Sequence, residues 1–167
     1  GYSIQEKLRH QISYSLRNSE INDVRAGASR FIRDQIGKHS TSALGHTLVY
    51  DDRDSKFDPH KGYFLSFSQE VAGLGGDSKY LKHEVKGSYY YPIAKKWTFG
   101  VLGSSGYILG LNGEDIRIND RFFLGGDDLR GFRNAGVGPR DTITDDSLGG
   151  NAYYSGSAEL KFPLGLP

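Results

Sequence analysis

The chain contains no cysteine, no methionine, a single tryptophan and only 5 prolines in 167 residues. Without cysteine there is no disulfide scaffold and no metal centre built on thiolates. No apolar run approaches the ~18 residues of a spanning helix, which excludes a helical membrane protein. Charge of one sign is also missing. Lys and Arg number 21 against 20 Asp and Glu, a net charge of +1, so nothing pulls the chain generally towards nucleic acid or anionic lipid. An initiator methionine, a charged amino-terminal region and a following apolar stretch are all lacking, so no signal peptide is expected. The end at Leu164, Gly165, Leu166 and Pro167 follows directly on a strand-like run. The sequence is therefore expected to be a piece of a longer parent chain.

What is abundant is glycine, with 23 residues, and aromatics, with 11 Tyr and 9 Phe. Mean hydropathy is nevertheless −0.53. Disorder is excluded, because disordered chains are poor in aromatics. A low mean hydropathy does not exclude a transmembrane β-barrel, in which only every second residue meets lipid.

Alternation supports that architecture. Leu8, His10, Ile12, Tyr14 and Leu16 share one phase, and Lys7, Arg9, Gln11, Ser13, Ser15 and Arg17 the other. Over 80–93, Leu81, Val85, Tyr89, Tyr91 and Ile93 oppose Lys82, Glu84, Lys86 and Ser88. Over 150–163, Ala152, Tyr154, Ala158, Leu160 and Phe162 oppose Tyr153, Ser155, Ser157, Glu159 and Lys161. Residues 62–72 and 96–108 follow less strictly, and 42–51 is ambiguous in phase. Six strands of roughly 10–13 residues result, longer than the 5–6 of soluble sheets and suited to tilted membrane strands. Ser55 to Lys61 and Pro92 to Lys95 read as short turns, and 19–40, 73–79 and 109–148 as longer loops. Short turns alternating with long loops is the asymmetry of outer-membrane barrels. Within 19–40, Val24, Ala28, Phe31, Ile32 and Ile36 predict a helix capped by Asn22 or Asp23 and closed by Gly37.

Reactive constellations are scarce. The histidines at 10, 39, 46, 60 and 83 form no i, i+4 pair, so no metal site is expected. Asp51, Asp52, Asp54 and Asp58 cluster, but counting from Asp52 the fifth and sixth places of a calcium loop hold Lys56 and Phe57, which excludes an EF-hand. No serine lies in a nucleophile elbow and no glycine-rich run opens a helix. Covalent catalysis, cofactors and nucleic-acid binding are not expected. Gly125-Gly126-Asp127-Asp128 matches the hairpin of diguanylate cyclases in letters only, because that site needs an α/β domain.

Read at greater length, the same stretch is informative. Residues 121–141 run RFFLGGDDLRGFRNAGVGPRD, which resembles the signature loop of the BamA family of barrels. Tyr50-Asp51-Asp52-Arg53-Asp54 with Phe57, Pro59 and Gly62 resembles the family's strand-turn-strand motif. Gly149-Gly150-Asn151-Ala152 resembles the start of the strand after the loop, and the closing Phe162-Pro163-Leu164-Gly165 fits too. The resemblance covers essentially the whole chain. It implies an all-β, antiparallel up-and-down transmembrane barrel, of which residues 1–167 are about six strands of sixteen, without the periplasmic domains. The implied role is non-catalytic folding and insertion of β-barrel proteins into the bacterial outer membrane. Unfolded barrel precursors, outer-membrane lipid and, through the parent chain, the lipoproteins of the BAM complex would be its partners.

In that family the loop re-enters the barrel and sets its tip, here Leu129, Arg130, Gly131 and Phe132, against the lumen wall. Glu159 stands where the family has an acidic wall residue, and its strand phase points it inward. An arginine confined there needs a carboxylate, since an unpaired desolvated charge is costly, and guanidinium grips carboxylate bidentately. Gly131 would permit a positive φ and Phe132 would anchor on the wall. The family's further aspartate on the next strand is absent here. Two other readings stay open: a two-partner-secretion pore of the same superfamily, and a soluble all-β binding module.

Overall fold

Alternating side chains over long stretches leave the backbone few choices besides a sheet, and the computed structural model, which describes residues 2–163, has one. Its strands are β1 (Tyr2–Gln5), β2 (Leu8–Ile21), β3 (Gly37–Asp51), β4 (Gly62–Gly76), β5 (Tyr80–Ala94), β6 (Trp97–Gly110) and β7 (Ala152–Lys161). Each pairs antiparallel with its neighbour in sequence, in the order β1 to β7. The architecture is the expected up-and-down meander, with six long strands and one short addition. β1 escaped the pattern because four residues are too few to display a period.

β2 to β6 run to 14 or 15 residues, longer than the alternation indicates. Their extra length lies in polar ends such as Asn18-Ser19-Glu20 facing Lys38-His39-Ser40. Backbone pairing continues there after the apolar phase has stopped. Loop bounds change accordingly. The segment 73–79 is not a long loop, since β4 extends to Gly76 and leaves only 77–79 between strands. The segment 19–40 shrinks to 22–36, the turn at 55–61 widens to 52–61, and the longest loop becomes 111–151.

The expected loop helix is also corrected. Only Arg30–Arg33 (α1) is helical, and its cap is Ser29, whose hydroxyl accepts from Phe31 N. Neither Asn22 nor Asp23 serves, and Gly37 begins β3. Ser29 is held by contacts from another loop, and this tertiary anchor sets the helix start against the local periodicity.

The two faces of the sheet are unlike. Ile12, Tyr14, Leu16, Leu44, Leu65, Tyr89, Val101 and Leu160 point to one face and are exposed. This settles the phase of 42–51 and 96–108: Leu44, Leu48, Tyr50, Trp97, Phe99, Val101 and Tyr107 lie on that outer face, and Ala43, Val49, Leu102 and Ile108 on the inner one. A soluble protein rarely shows so large an apolar surface. Aromatics gather at the rim of the short turns, where Tyr50 stacks on Tyr63 (5.2 Å) and Trp97 on Phe162 (5.1 Å), as an interfacial girdle requires. The inner face is polar, and the loop 111–151 covers it. A small core of Ala43, Ala72, Tyr80, Ile108 and Ile116, with Phe122 against it, sits under that cover near the long-loop rim.

Candidate functional site on the inner face

The loop 111–151 leaves β6 through two single 3-10 turns, Leu111–Gly113 and Ile118–Asp120, and then lies on the inner wall. Phe122 bridges to Gly150 by paired backbone hydrogen bonds of 2.9 Å. Its ring packs at 4.8 Å on Tyr153 of β7 and lies under the ammonium of Lys82 on β5. Gly149 adopts φ 65°, and a Cβ there would come within 3 Å of Phe123, Arg121 and Phe122 atoms. Asn151 carries the chain into β7, its carbonyl accepting from Ile108 N at 2.8 Å.

At the tip, Leu129 O accepts from Phe132 N and Phe132 O from Gly126 N (2.9 Å), with Gly131 at φ 91°. Leu129 and Arg130 face a cavity of about 570 Å³ whose far wall includes Lys86, Ser155 and Glu159. Arg130 and Glu159 thus look into one space. No ion pair joins them among the described residues, and Phe132, 53% exposed, does not line the cavity. Asp127 and Asp128 also line it, so the tip carries both charge signs.

The turn motif is closed by charge. Arg53 grips Asp51 bidentately, Nε donating to Oδ1 at 2.8 Å and Nη2 to Oδ2 at 3.0 Å, while its guanidinium lies 4.8 Å from the Phe64 ring centre. Asp54 accepts from the backbone N–H groups of His60 and Lys61, which hold its carboxyl below the usual range, His60 foremost. Gly62 needs φ 102°, and a Cβ there would meet Asp52 O at 2.1 Å. This motif shapes a turn and lies beside the cavity through Arg53.

Two anchors of the loop have no counterpart in the sequence expectations. The first is at its root. Asp120, 7% exposed, accepts from Ser78 Oγ at 3.0 Å and lies 3.8 Å from Arg17. Arg17 also donates to Tyr80 Oη (2.7 Å), which donates to Glu70 (2.6 Å). Ser78 in turn accepts from Thr41 at 3.0 Å. Four strands and the β4–β5 turn therefore converge on one loop carboxylate. The alternation of 7–17 puts Arg17 in the polar phase, but Glu70 lies in a stretch that alternates less strictly and Asp120 in a segment without periodicity.

The second anchor joins the two long loops. Ser29, fully buried, donates from its N to Asp146 (2.7 Å) and from Oγ to Asp141 (2.6 Å). The Ser29 hydroxyl first, then Ile143 N and Thr144 N, hold the Asp141 carboxyl below its ordinary 3.8. A depressed carboxyl contributes stability that is complete above its unfolded value and disappears as pH falls through the folded one. Exchange of the Ile143 and Thr144 amides, which donate to Asp141, is expected in the parent protein to stay slow and constant from pH 7 to about 5, once corrected for intrinsic chemistry, and to speed up below about pH 4. Loss of protection already near pH 6 would contradict this assignment.

Comparison with known proteins gives a consistent result. The sequence model of the Omp85 superfamily domain matches residues 1–166. The chain is 36% identical over 168 residues to the outer membrane protein assembly factor BamA of Neorickettsia risticii, covering 100% of this chain and 22% of that protein. It is 31% identical to the sorting and assembly machinery component 50 homolog of Mus musculus, covering 95% of this chain and 34% of that one. In structure it matches the crystal structure of BamA from Haemophilus ducreyi lacking POTRA domains 1–3, with a TM-score of 0.84 at 20% identity, over 98% of this chain and 36% of the other. The chain thus spans between a fifth and about a third of the length of these relatives. The resembling stretch Phe162-Pro163-Leu164-Gly165 runs past Pro163, and Leu164 and Gly165 lie outside the described residues.

Proposed function

The chain belongs to the Omp85 superfamily, and on that premise we propose that it is a wall segment of an outer-membrane barrel whose parent protein folds and inserts other β-barrel proteins without catalysis. The observation that carries this reading is the combination of similarity to BamA along the whole of this chain with a loop bearing Leu129-Arg130-Gly131-Phe132 laid on a polar inner face. Relatives named for assembly come from both a bacterium and animals. The bacterial outer membrane is the compartment we assign, because the relative matched along the whole chain is bacterial.

In this reading the remaining strands of the barrel and the periplasmic domains belong to the rest of the parent protein. Unfolded barrel precursors are the clients, and lipoprotein partners engage the parent outside this segment. The driving energy is the clients' own: unpaired strand edges find partners and apolar faces enter lipid. Residues 129–132 act as the tip of a clamp whose partner is Glu159. The two groups face one cavity, and closing their separation lets a bidentate Arg–carboxylate pair fix the loop against β7. Asp51, Arg53 and Asp54 keep the short-turn rim in shape, and Gly149, Gly150 and Asn151 return the loop into β7.

The parent protein reconstituted in liposomes is expected to accelerate folding of a urea-unfolded barrel client at least several-fold over protein-free liposomes, followed by the heat-modifiable mobility of the folded client. Client folding at the protein-free rate would overturn the assembly reading. A passenger protein crossing the same liposomes without folding into them would favour a secretion pore instead.

A further inference from the structure

Glu159 has a cationic neighbour on its own strand. Glu159 and Lys161 share the inner phase of β7 and stand opposite Gly100 and Thr98 of β6. Alternate residues of a strand lie about 7 Å apart on one face, a gap that a lysine and a glutamate side chain together can close. The floor between them brings the two closer still. The buried ring of Tyr90 lies across Gly100, where a Cβ would meet it at 3.0 Å. The Lys161 ammonium sits 5.4 Å from the centre of that same ring. Lys161 therefore stands beside the carboxylate that faces Arg130 across the cavity.

Its ion pair is made elsewhere. Lys161 Nζ donates to Asp58 Oδ1 at 3.2 Å. Asp58 belongs to the turn 52–61 between β3 and β4, and β7 is three strands beyond β4. The turn thus reaches across the inner face at its short-turn rim. Asp58 is set there by its own backbone, whose N donates to Ser55 Oγ at 3.2 Å, and its second oxygen lies 3.6 Å from His60 Nε2. The two side chains of the Lys161–Asp58 pair are 37% and 68% exposed. A pair so open to solvent adds little to stability. What it does fix is the place of a positive charge.

We infer that Asp58 is a positioning residue of the clamp: it holds Lys161 away from Glu159 and so leaves that carboxylate to Arg130. The role rests on Arg130 and Glu159 acting as clamp and partner. Without Asp58, the nearest carboxylate on the same face of β7 is Glu159. An ammonium is a point charge that accepts many geometries, whereas a guanidinium needs its planar fork aligned. Lys161 is also beside Glu159 at all times, whereas Arg130 comes near only while the long loop is docked. A freed Lys161 therefore competes for Glu159 with the advantage of proximity. Asp58 removes that competitor, and a turn on one rim thereby governs a loop that enters from the other.

The test is the rate at which protease cleaves the loop 111–151 in the full-length parent protein reconstituted in liposomes. Asp58→Asn should be cleaved about three-fold faster than wild type, the size of one exposed ion pair. Lys161→Met keeps its stem on Tyr90 without the charge and should be cleaved at the wild-type rate. Combining the two should restore the wild-type rate, because the competitor is gone. Asp58→Glu keeps the charge and should also match wild type. Restoration in the double variant is the outcome that a mere tie between the turn and β7 would not produce. Faster cleavage in both single variants without restoration in the double would reduce the pair to such a tie and overturn the role of Asp58. A wild-type rate in Asp58→Asn would overturn it as well. Arg130→Ala separates the premise. If that variant is cleaved at the wild-type rate, the clamp falls and the role of Asp58 with it. If Arg130→Ala is cleaved faster and Asp58→Asn is not, the role of Asp58 falls alone.

Discussion

Arg130→Ala in the full-length parent protein is expected to open the long loop to protease and to lower the steady-state level of outer-membrane barrels several-fold. Arg130 is the one cation of the tip that faces the cavity, and Glu159 on β7 faces it from the wall. Truncating the arginine removes five donors at once and leaves Glu159, Asp127 and Asp128 sharing the space with Lys86 and with Arg53, which is already committed to Asp51. Lys at this position should restore little, because an ammonium cannot reproduce the planar fork. Glu159→Gln should give a milder defect of the same kind, and the double substitution should add little to Arg130→Ala if the two act together. A loop as protease-resistant as wild type, with normal barrel levels, would refute the clamp. Fully additive effects would place the two residues in separate roles.

The second large effect is expected at Asp120. Asp120→Ala removes the only loop carboxylate in the Arg17–Tyr80–Glu70 network and strips Ser78 of its acceptor in a buried setting. Leaving buried polar groups unsatisfied costs about 1–3 kcal/mol. The docked loop should therefore be populated roughly ten-fold less, by the usual conversion of free energy to population. Amide exchange in residues 116–124 reads this directly. Asp120→Asn separates geometry from charge, since the amide keeps an acceptor for Ser78 and loses the attraction to Arg17. Unchanged exchange in Asp120→Ala would mean that Phe122, packed on Tyr153 and under Lys82, holds the root by itself.

These two residues also measure what a sequence can disclose. Phase was legible wherever the inner and outer environments differ in polarity. Leu81, Val85 and Tyr89 against Lys82, Glu84 and Lys86 are as cleanly divided in the structure as in the sequence. Strand ends were not, because Asn18, Ser19 and Glu20 pair through backbone atoms that impose no side-chain pattern. The tip was legible as a motif, with Gly131 in the left-handed region that its position anticipates. The root was not, because Asp120 and Ser29 derive their roles from partners far away in the chain. Ser29 even sets where α1 begins, against a periodicity that placed the cap six or seven residues earlier.

That same serine fixes an order of events. From β1 to β6 each strand pairs with its sequence neighbour across a connection of 2 to 15 residues, so those hairpins close over short stretches of chain and form early. The bond from Ser29 to Asp141 spans 112 residues. Closing so long a stretch costs more chain entropy before β3 to β6 have paired than after. The two rim loops therefore meet last, and until they do the polar inner face stays open to solvent. Slow maturation of the rim after rapid strand pairing is the kinetic signature built into this topology.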